Sequence, residues 1–395
     1  MNMQLVWQIE NGKLRIEMPE FITTTNANEM QSEIENILTK CATDKFILDA
    51  DKLMYISSAG LRVLIFFIKV NKDFSVINAC QEVYDIFDMT GFTKLFKIRK
   101  KFRQMSIDGL STIGNGASAT IYRIDNERIL KVFAPDLSLD DIEKELNYAK
   151  EAFLCGVNTA ISYDIVKVGN SYGTLYELLD AKTLAQELHD TPEHENELVE
   201  LYGHFMKDIH KVKLDPAVFN STKQNYLNKL ELISDKCSKE DYQLMRDMIK
   251  AIPDRTTFIH GDFHPKNVML QNGKPILIDM GEVSYGHPIF DLMSFGAVRV
   301  LSDVISDELQ INLGSISCAQ VRRIWDSFLK VYFEDRNADE LKTINTVLLC
   351  YSAIRAWCLC VQFSVFPVQL REYCLSVVRK HTTNGNTDLP SQILM

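Results

Sequence analysis

The sequence predicts two folded parts, a small α/β domain over residues 1–105 and a two-lobed α+β domain over residues 106–395. Three observations predict this. In the first part, strand-like segments alternate with amphipathic helical segments. In the second, strand-like segments dominate residues 106–180 and helical ones dominate residues 181–395. Finally, 46% of the residues are hydrophobic and 24% are charged, which is ordinary for chains that bury large cores.

The first part begins with a predicted hairpin, in which residues 5–9 and 13–16 flank an Asn11-Gly12 turn. Helical spacing over residues 28–40 then places Met30, Ile34, Ile37 and Leu38 on one face. The remaining predicted elements are a strand at 46–48, a helix with Leu61, Leu64, Ile65 and Ile68 on one face, a strand at 74–79 and a helix marked by Val83, Ile86 and Phe87.

The second part begins with strands. They are predicted at residues 110–113, 120–124 and 128–133, followed by a helix at 140–152 and a strand at 174–180. After Lys182 the pattern turns helical, except for a strand-rich segment over residues 257–280.

Charge and cysteine usage exclude some functions. The net charge of -10 argues against general nucleic-acid binding, which needs clustered Lys and Arg, but permits cationic substrates. The nine cysteines form no CxxC pair, and the N-terminus lacks a signal pattern, so we expect a cytoplasmic protein with reduced thiols. The apolar residues 346–366 include Arg355 and Gln362, which favours a buried helix over a membrane span.

The strongest functional signal lies in residues 258–279. An apolar strand leads into the loop His260-Gly261-Asp262-Phe263-His264-Pro265-Lys266-Asn267, and two apolar segments then flank an Asn272-Gly273 turn. Folding this hairpin about its turn places residue 267 opposite residue 278. Asn267 and Asp279 are therefore predicted to reach the same end of the ladder, where an amide oxygen and a carboxylate suit Mg²⁺. Asp262 lies where it can orient or deprotonate a hydroxyl group.

This pattern resembles the HxDxxxxN loop and DxG motif of kinases, in the form found in the aminoglycoside phosphotransferase and choline kinase superfamily. The resemblance covers roughly residues 108–365. It implies a protein-kinase-like fold that uses ATP and Mg²⁺, with Asp262 catalytic and Asn267 and Asp279 as metal ligands. A polar loop beside an accidental hairpin is the alternative.

The nucleotide side is predicted upstream. Gly114, Gly116 and Ser118 lie between two strands and resemble a phosphate-covering loop, although a simple glycine turn is the alternative and Ala119 replaces the family's third glycine. Lys131 lies on an otherwise apolar strand, where a lysine is costly unless it meets anions. It resembles the strand lysine that holds nucleotide phosphates, with Ile129 beneath the adenine.

The partner of Lys131 is expected on the following helix, which offers Glu143, Glu145 and Glu151; we choose Glu145, with solvated helix charge as the alternative. Backbone groups around Glu177 to Leu179 resemble the hinge that binds adenine. Downstream, Asp291 lies in a family-like G-x-P-x-x-D segment and is expected to anchor the catalytic loop.

In the first part, Ser57 and Ser58 precede a helix, and Ala59-Gly60-Leu61 follow. A serine here suits a helix N-cap. The segment also resembles the phosphorylation loop of STAS domains, the anti-sigma-factor-antagonist family. That resemblance implies phosphorylation of Ser58, with Ser57 as the alternative acceptor, and an anti-sigma-type or other STAS-binding protein as partner.

Together these features predict an ATP- and Mg²⁺-dependent phosphotransferase, regulated by a STAS domain, that acts on a hydroxyl of a small molecule. Acidic residues of the helical lobe could bind an amine on that molecule, although ordinary surface carboxylates explain them as well. The alternatives are a signalling kinase that phosphorylates a STAS serine in cis or in trans, and a pseudokinase that only binds nucleotide.

Overall fold

The computed structural model describes residues 3–10, 12–41, 45–70, 73–116, 119–305, 316–363 and 368–383. The chain divides into two compact units, Met1–Ser106 and Ile107–Met395. Each unit buries a hydrophobic core of its own.

The first unit is an α/β domain. Its elements, in chain order, are β1 (Trp7–Glu10), β2 (Lys13–Glu17), β3 (Phe21–Ile22), α1 (Ala27–Lys40), β4 (Lys45–Asp49), β5 (Tyr55–Ile56), α2 (Ser58–Val70), β6 (Asp73–Ala79), α3 (Gln81–Met89), β7 (Lys97–Lys100) and β8 (Arg103–Gln104). Five strands form a sheet in the order β1-β2-β4-β6-β7. β1 and β2 are antiparallel, whereas the other three pairs are parallel.

Hydrophobic periodicity explains these elements. In β2, Leu14 and Ile16 are fully buried, so alternate side chains face the core. In α1, the predicted apolar face is buried through Met30, Ile34 and Ile37. The predicted hairpin pairs Glu10 with Lys13, while Asn11 of its turn lies outside the described residues.

The start of α2 is tightly packed. The buried Ser57 hydroxyl accepts a hydrogen bond from the Gly60 amide at 3.4 Å, which makes Ser57 the capping serine. A Cβ atom at Gly60 would lie 2.5 Å from the Ile22 side chain, so only glycine fits. Ser58, the first residue of α2, is exposed.

The second unit contains the remaining elements. They are β9 (Ser111–Asn115), β10 (Ala119–Arg123), β11 (Arg128–Phe133), α4 (Leu139–Leu154), β12 (Ser162–Val168), β13 (Ser171–Glu177), β14 (Lys182–Thr183), α5 (Leu184–Asp190), α6 (Glu195–Ile209), α7 (Thr222–Leu232), α8 (Lys239–Ala251), β15 (Thr257–Ile259), β16 (Val268–Gln271), β17 (Lys274–Leu277), β18 (Ser284–Gly286), α9 (Ile289–Leu301), α10 (Cys318–Tyr332), α11 (Ala338–Gln362) and α12 (Val368–Thr383).

Strands and helices of this unit are segregated. Antiparallel neighbours run in the order β12-β13-β11-β10-β9, and most helices follow them in the chain. Two small sheets, β14-β16-β17 and β15-β18, lie within the helical part. Among the described residues, α11 is the one helix long and apolar enough to cross a membrane, and 67% of its apolar window is buried inside the protein. That burial is what a core helix requires.

Candidate active site

The loop after β15 is fixed by a buried carboxylate. Asp291, in the first turn of α9, is fully buried and accepts hydrogen bonds from the backbone amides of His260 at 2.9 Å and Gly261 at 2.7 Å. His210 Nε2 lies 3.2 Å from the same carboxylate, and its Nδ1 lies 2.7 Å from the Tyr332 hydroxyl. The carboxylate thus anchors the loop, as expected.

Gly261 is required by the loop conformation. Its φ is +83°, and a Cβ atom there would lie 2.6 Å from the Glu282 carbonyl oxygen. Both the positive φ and the close backbone approach exclude a side chain. Glycine at this position therefore lets the loop pass close to the Glu282 backbone just before Asp262.

The hairpin after the loop has the predicted register. Val268 pairs with Leu277, and the Ile278 amide donates to the Asn267 carbonyl at 3.1 Å, so residue 267 lies opposite residue 278. The Asn267 side chain turns toward Asp262, with Nδ2 donating to the Asp262 carbonyl at 3.0 Å and to Oδ2 at 3.1 Å. These bonds join the predicted amide ligand to the predicted catalytic carboxylate.

Asp262 is surrounded by donors. Arg355 Nη2 donates to Oδ1 at 2.7 Å, and His264 Nε2 lies 3.3 Å from Oδ2. Burial by itself raises the pKa of the Asp262 carboxyl, but the charge and hydrogen bond of His264, followed by the charges of Arg355 and His260, outweigh it and hold the pKa well below its usual range. The group is therefore a carboxylate at neutral pH.

On the strand side, Lys131 joins two carboxylates. Its Nζ lies 2.7 Å from Glu145 Oε1 and 3.0 Å from Asp279 Oδ1. Burial lowers the pKa of Lys131, but Glu145 and Asp279 outweigh burial and raise it, so the side chain is a cation. Of the three candidate glutamates on α4, the structure brings Glu145 to the lysine. The Tyr176 hydroxyl, which the sequence did not indicate, also donates to Glu145 at 3.2 Å.

Asp279 has an unusual backbone. It follows β17 with a φ of +64°, which is rare for a residue other than glycine and concentrates at functional sites. Its side chain is 53% exposed, although one oxygen contacts Lys131. A second oxygen therefore remains available to a ligand.

The predicted phosphate-covering loop lies only partly between strands, because Gly114 belongs to β9 and pairs with Ile121 of β10, whereas Gly116 follows β9. Gly114 and Gly116 have ordinary φ values and room for a Cβ atom, so neither glycine is demanded by packing. Ser118 lies outside the described residues. Ile129 and Lys131 alternate along β11, and Lys131 Nζ lies 5.2 Å from the centre of the Phe133 ring, which agrees with a shared face.

Two backbone amides of the predicted hinge are already bonded within the protein. The Glu177 amide donates to the Ile161 carbonyl at 3.0 Å, and the Leu178 amide donates to the Glu127 carbonyl at 2.7 Å. Neither of these N–H groups is therefore free for adenine. If adenine binds here, this segment would contact it through backbone carbonyls or through Leu179, whose side chain is buried.

The residues present fit a magnesium ion bound with nucleotide. Asn267 uses its Nδ2 toward Asp262, which leaves Oδ1, the atom type that Mg²⁺ prefers. The exposed oxygen of Asp279 would supply a second ligand of the same type. Within the described part of the chain, no three His, Cys, Asp or Glu side chains cluster as a metal site. Mg²⁺ bound with a nucleotide usually takes one or two protein ligands, and phosphate oxygens and water complete its coordination.

Comparison with known families identifies both units. A model described as the phosphotransferase enzyme family (APH) matches residues 109–323, and a model of the STAS domain matches residues 6–105. The first match covers more than half of the 395 residues, so the chain belongs to the phosphotransferase enzyme family. The fold is an α/β STAS domain followed by an α+β two-lobed protein-kinase-like domain, which confirms the predicted fold class.

Solved structures similar to this chain include aminoglycoside phosphotransferases and other small-molecule kinases. A gentamicin complex of APH(2'')-IIa is 13% identical with a TM-score of 0.46, covering 75% of this chain and 95% of that chain. The amicoumacin kinase hAmiN, in complex with AMP-PNP, Ca²⁺ and Ami, is 14% identical with a TM-score of 0.47, covering 77% and 95%. A choline/ethanolamine kinase family protein from Mesorhizobium loti is 13% identical with a TM-score of 0.44, covering 72% and 90%.

Proposed function

We propose that the second unit transfers the γ-phosphate of ATP to a hydroxyl group of a small molecule. The observation that carries the proposal is a pair of polar clusters, one around each of the two predicted acidic residues, Asp262 and Asp279. Lys131, Glu145 and Asp279 form one cluster, and Asp262 with Asn267 forms the other. Phosphoryl transfer depends on positioning and on charge neutralisation, and these clusters supply both.

On the nucleotide side, Lys131 contacts phosphate oxygens of ATP. Its position is fixed by Glu145 and by Asp279, so its charge lies beside one of the residues proposed to hold Mg²⁺. Gly114 and Gly116 belong to the same side. Because packing does not demand glycine at either position, close approach of phosphates to the backbone is the better reason for them.

On the acceptor side, Asp262 binds and orients the hydroxyl group. The acceptor oxygen forms a bond to the γ-phosphorus, the bond from that phosphorus to the bridging oxygen breaks, and its electron pair leaves with ADP. The hydroxyl proton passes to Asp262. The depressed pKa of Asp262 makes it a weak base, which suits a loose transition state in which the proton leaves late.

Asn267 and Asp279 would hold the magnesium ion, whose charge neutralises phosphate oxygens when it is bound. The acceptor class that we propose to test first is an amine-bearing alcohol, because acidic side chains of the helical lobe suit a cation.

The test is to incubate the full chain with γ-labelled ATP and Mg²⁺. Kanamycin, choline and ethanolamine serve as amine-bearing acceptors, and neutral sugars as a matched set. We expect labelled product from at least one amine-bearing acceptor and none from the Asp262→Asn variant. Consumption of ATP with neutral sugars alone would refute the amine, and no consumption under any condition would refute the phosphotransferase.

A second candidate is phosphorylation of the STAS domain itself. The observation that favours it is the contrast between the two serines, since Ser58 is exposed at the first position of α2 whereas Ser57 is buried as the cap. A phosphate at Ser58 would add negative charge at a helix N-terminus and change how a protein partner binds. Label on the protein that disappears in both Ser58→Ala and Asp262→Asn supports this role, whereas label retained in Ser58→Ala excludes Ser58.

A further inference from the structure

Helix α11 carries a cation in its buried half. Its neighbours in the helix, Ala353, Ile354, Ala356 and Trp357, are buried. The Arg355 side chain is itself only 15% exposed. A guanidinium group in such surroundings is costly unless its hydrogen bonds are made. The local pattern of this apolar helix offers no reason for an arginine at this position.

The partners of Arg355 explain its position. Nη2 donates to Asp262 Oδ1 at 2.7 Å, and Nη1 donates to the Tyr226 hydroxyl at 3.1 Å. Tyr226, on α7, stacks on Phe290 with ring centres 5.2 Å apart, so the hydroxyl is itself held firmly. The guanidinium fork therefore connects α7 and α11 to the predicted catalytic carboxylate.

This contact differs in kind from the other contacts of the Asp262 side chain. His264 and Asn267 approach Oδ2, and both belong to the same loop as Asp262. They move with the loop if it shifts. Arg355 lies 93 residues later in the chain and approaches the other oxygen, so it ties the carboxylate to a helix of the core.

We propose that Arg355 is a positioning residue, which fixes the Asp262 carboxylate in the orientation that aligns the acceptor hydroxyl for attack. This inference rests on the proposed phosphotransferase function. It predicts that loss of the fork impairs the chemical step and leaves nucleotide binding intact. The reason is that Lys131 and Asp279, which are proposed to bind ATP and its Mg²⁺, bond to each other in a separate cluster, whereas the fork bonds to Asp262 and Tyr226. The other proposed Mg²⁺ ligand, Asn267, contacts the Asp262 carbonyl and Oδ2, and the fork contacts neither of these atoms.

The test compares Arg355→Met, Arg355→Lys and Tyr226→Phe in the full chain, with water as the acceptor probe and ADP release as the readout. Misplacement of a reacting group by about 1 Å costs about 100-fold in rate, so we expect Arg355→Met to lower kcat by about that factor. Dissociation constants for ATP should stay within about twofold, as expected when uniform binding is preserved.

The conservative variants separate positioning from folding. Lysine keeps the charge but not the fork, so we expect Arg355→Lys to recover about tenfold over Arg355→Met. Tyr226→Phe leaves the bond to Asp262 and should lower kcat less than either. Arg379→Met is the matched control, since Arg379 forms an arginine–carboxylate pair with Asp241 at 2.6 Å in α8 and should leave kcat unchanged.

Each outcome decides the question. If Arg355→Met binds ATP and keeps more than a third of kcat, Arg355 does not position Asp262. If Arg355→Met does not fold, wild-type kcat in both Arg355→Lys and Tyr226→Phe overturns the inference equally. If the wild-type chain releases no ADP with water or with any acceptor, the proposed function fails first, and the inference fails with it.

Discussion

Replacing Asp291 by asparagine should weaken the second unit and disorganise its catalytic loop. The substitution keeps the shape of the side chain but exchanges one carboxylate oxygen for an amide nitrogen. In the wild type, the His260 amide donates to Oδ2 and the Gly261 amide donates to Oδ1. Whichever way the new side-chain amide is turned, its NH₂ group faces one of these N–H donors.

The magnitude follows from these bonds. The Asp291→Asn variant would lose one bond of the charged kind, and hydrogen bonds to charged groups contribute about 1.5–3 kcal/mol. It would also leave one backbone N–H buried without an acceptor, at a cost of about 1–3 kcal/mol. Since the two terms overlap, we expect the free energy of unfolding to fall by about 3 kcal/mol.

Tryptophan fluorescence during urea unfolding measures this change. Trp325 and Trp357 are buried in the core of the second unit, whereas Trp7 lies exposed in the first. The matched control is Asp241→Asn, whose carboxylate is also buried but is bonded to the half-exposed guanidinium of Arg379, which can turn to water, so it should lose less, about 1.5 kcal/mol. A loss in Asp291→Asn no larger than in this control would show that Asp291 does not anchor the loop.

Three further variants test other contacts. Burial, together with the charges of Arg255 and His210, lowers the pKa of His287 from 6.5 to about 3, so the unfolded chain takes up the proton first and stability falls as the pH drops below 6.5. By linkage, this difference in pKa costs the wild type about 2 kcal/mol of unfolding free energy at pH 5. Between pH 7 and pH 5, His287→Asn should therefore lose about 2 kcal/mol less stability than the wild type, and equal losses in urea unfolding would refute this role of His287. Gly261→Ala combines a positive φ with a backbone clash and should destabilise by more than about 2 kcal/mol, and an unchanged melting temperature would contradict this. Lys131→Met should weaken ATP binding by at least about tenfold in a nucleotide titration, and an unchanged dissociation constant would remove Lys131 from the nucleotide site.

The sequence predicted the features that are set locally. The Asn272-Gly273 turn determines the hairpin register, and the register determines that residue 267 lies opposite residue 278. Glu145 was chosen over Glu143 and Glu151 as the partner of Lys131, and it is the glutamate that the structure brings to the lysine. The apolar face of α1 followed from helical spacing alone.

What escaped prediction depends on how distant segments pack. Arg355 contacts Asp262 only because α11 packs near the catalytic loop, and no local pattern encodes that approach. Tyr176 joins the Lys131 cluster through its place on β13, opposite Ile129 of β11. Backbone groups around Glu177 to Leu179 were predicted to bind adenine, but the sequence could not reveal that Ile161 and Glu127 already accept from the Glu177 and Leu178 amides.

The two predicted acidic residues differ in environment, and this difference fits the different roles that we propose for them. Asp262 has bonds to both oxygens, from Arg355 on one and from Asn267 on the other, so its orientation is fixed and its pKa is depressed. Asp279 is half exposed, sits on a backbone with positive φ and contacts Lys131. A fixed carboxylate suits the alignment of an acceptor hydroxyl, whereas an accessible carboxylate suits a ligand that arrives and leaves with each nucleotide. If Asp262 were exposed and free to turn while Asp279 were fixed by bonds to both oxygens, we would therefore expect phosphoryl transfer to be abolished, even with both carboxylates present.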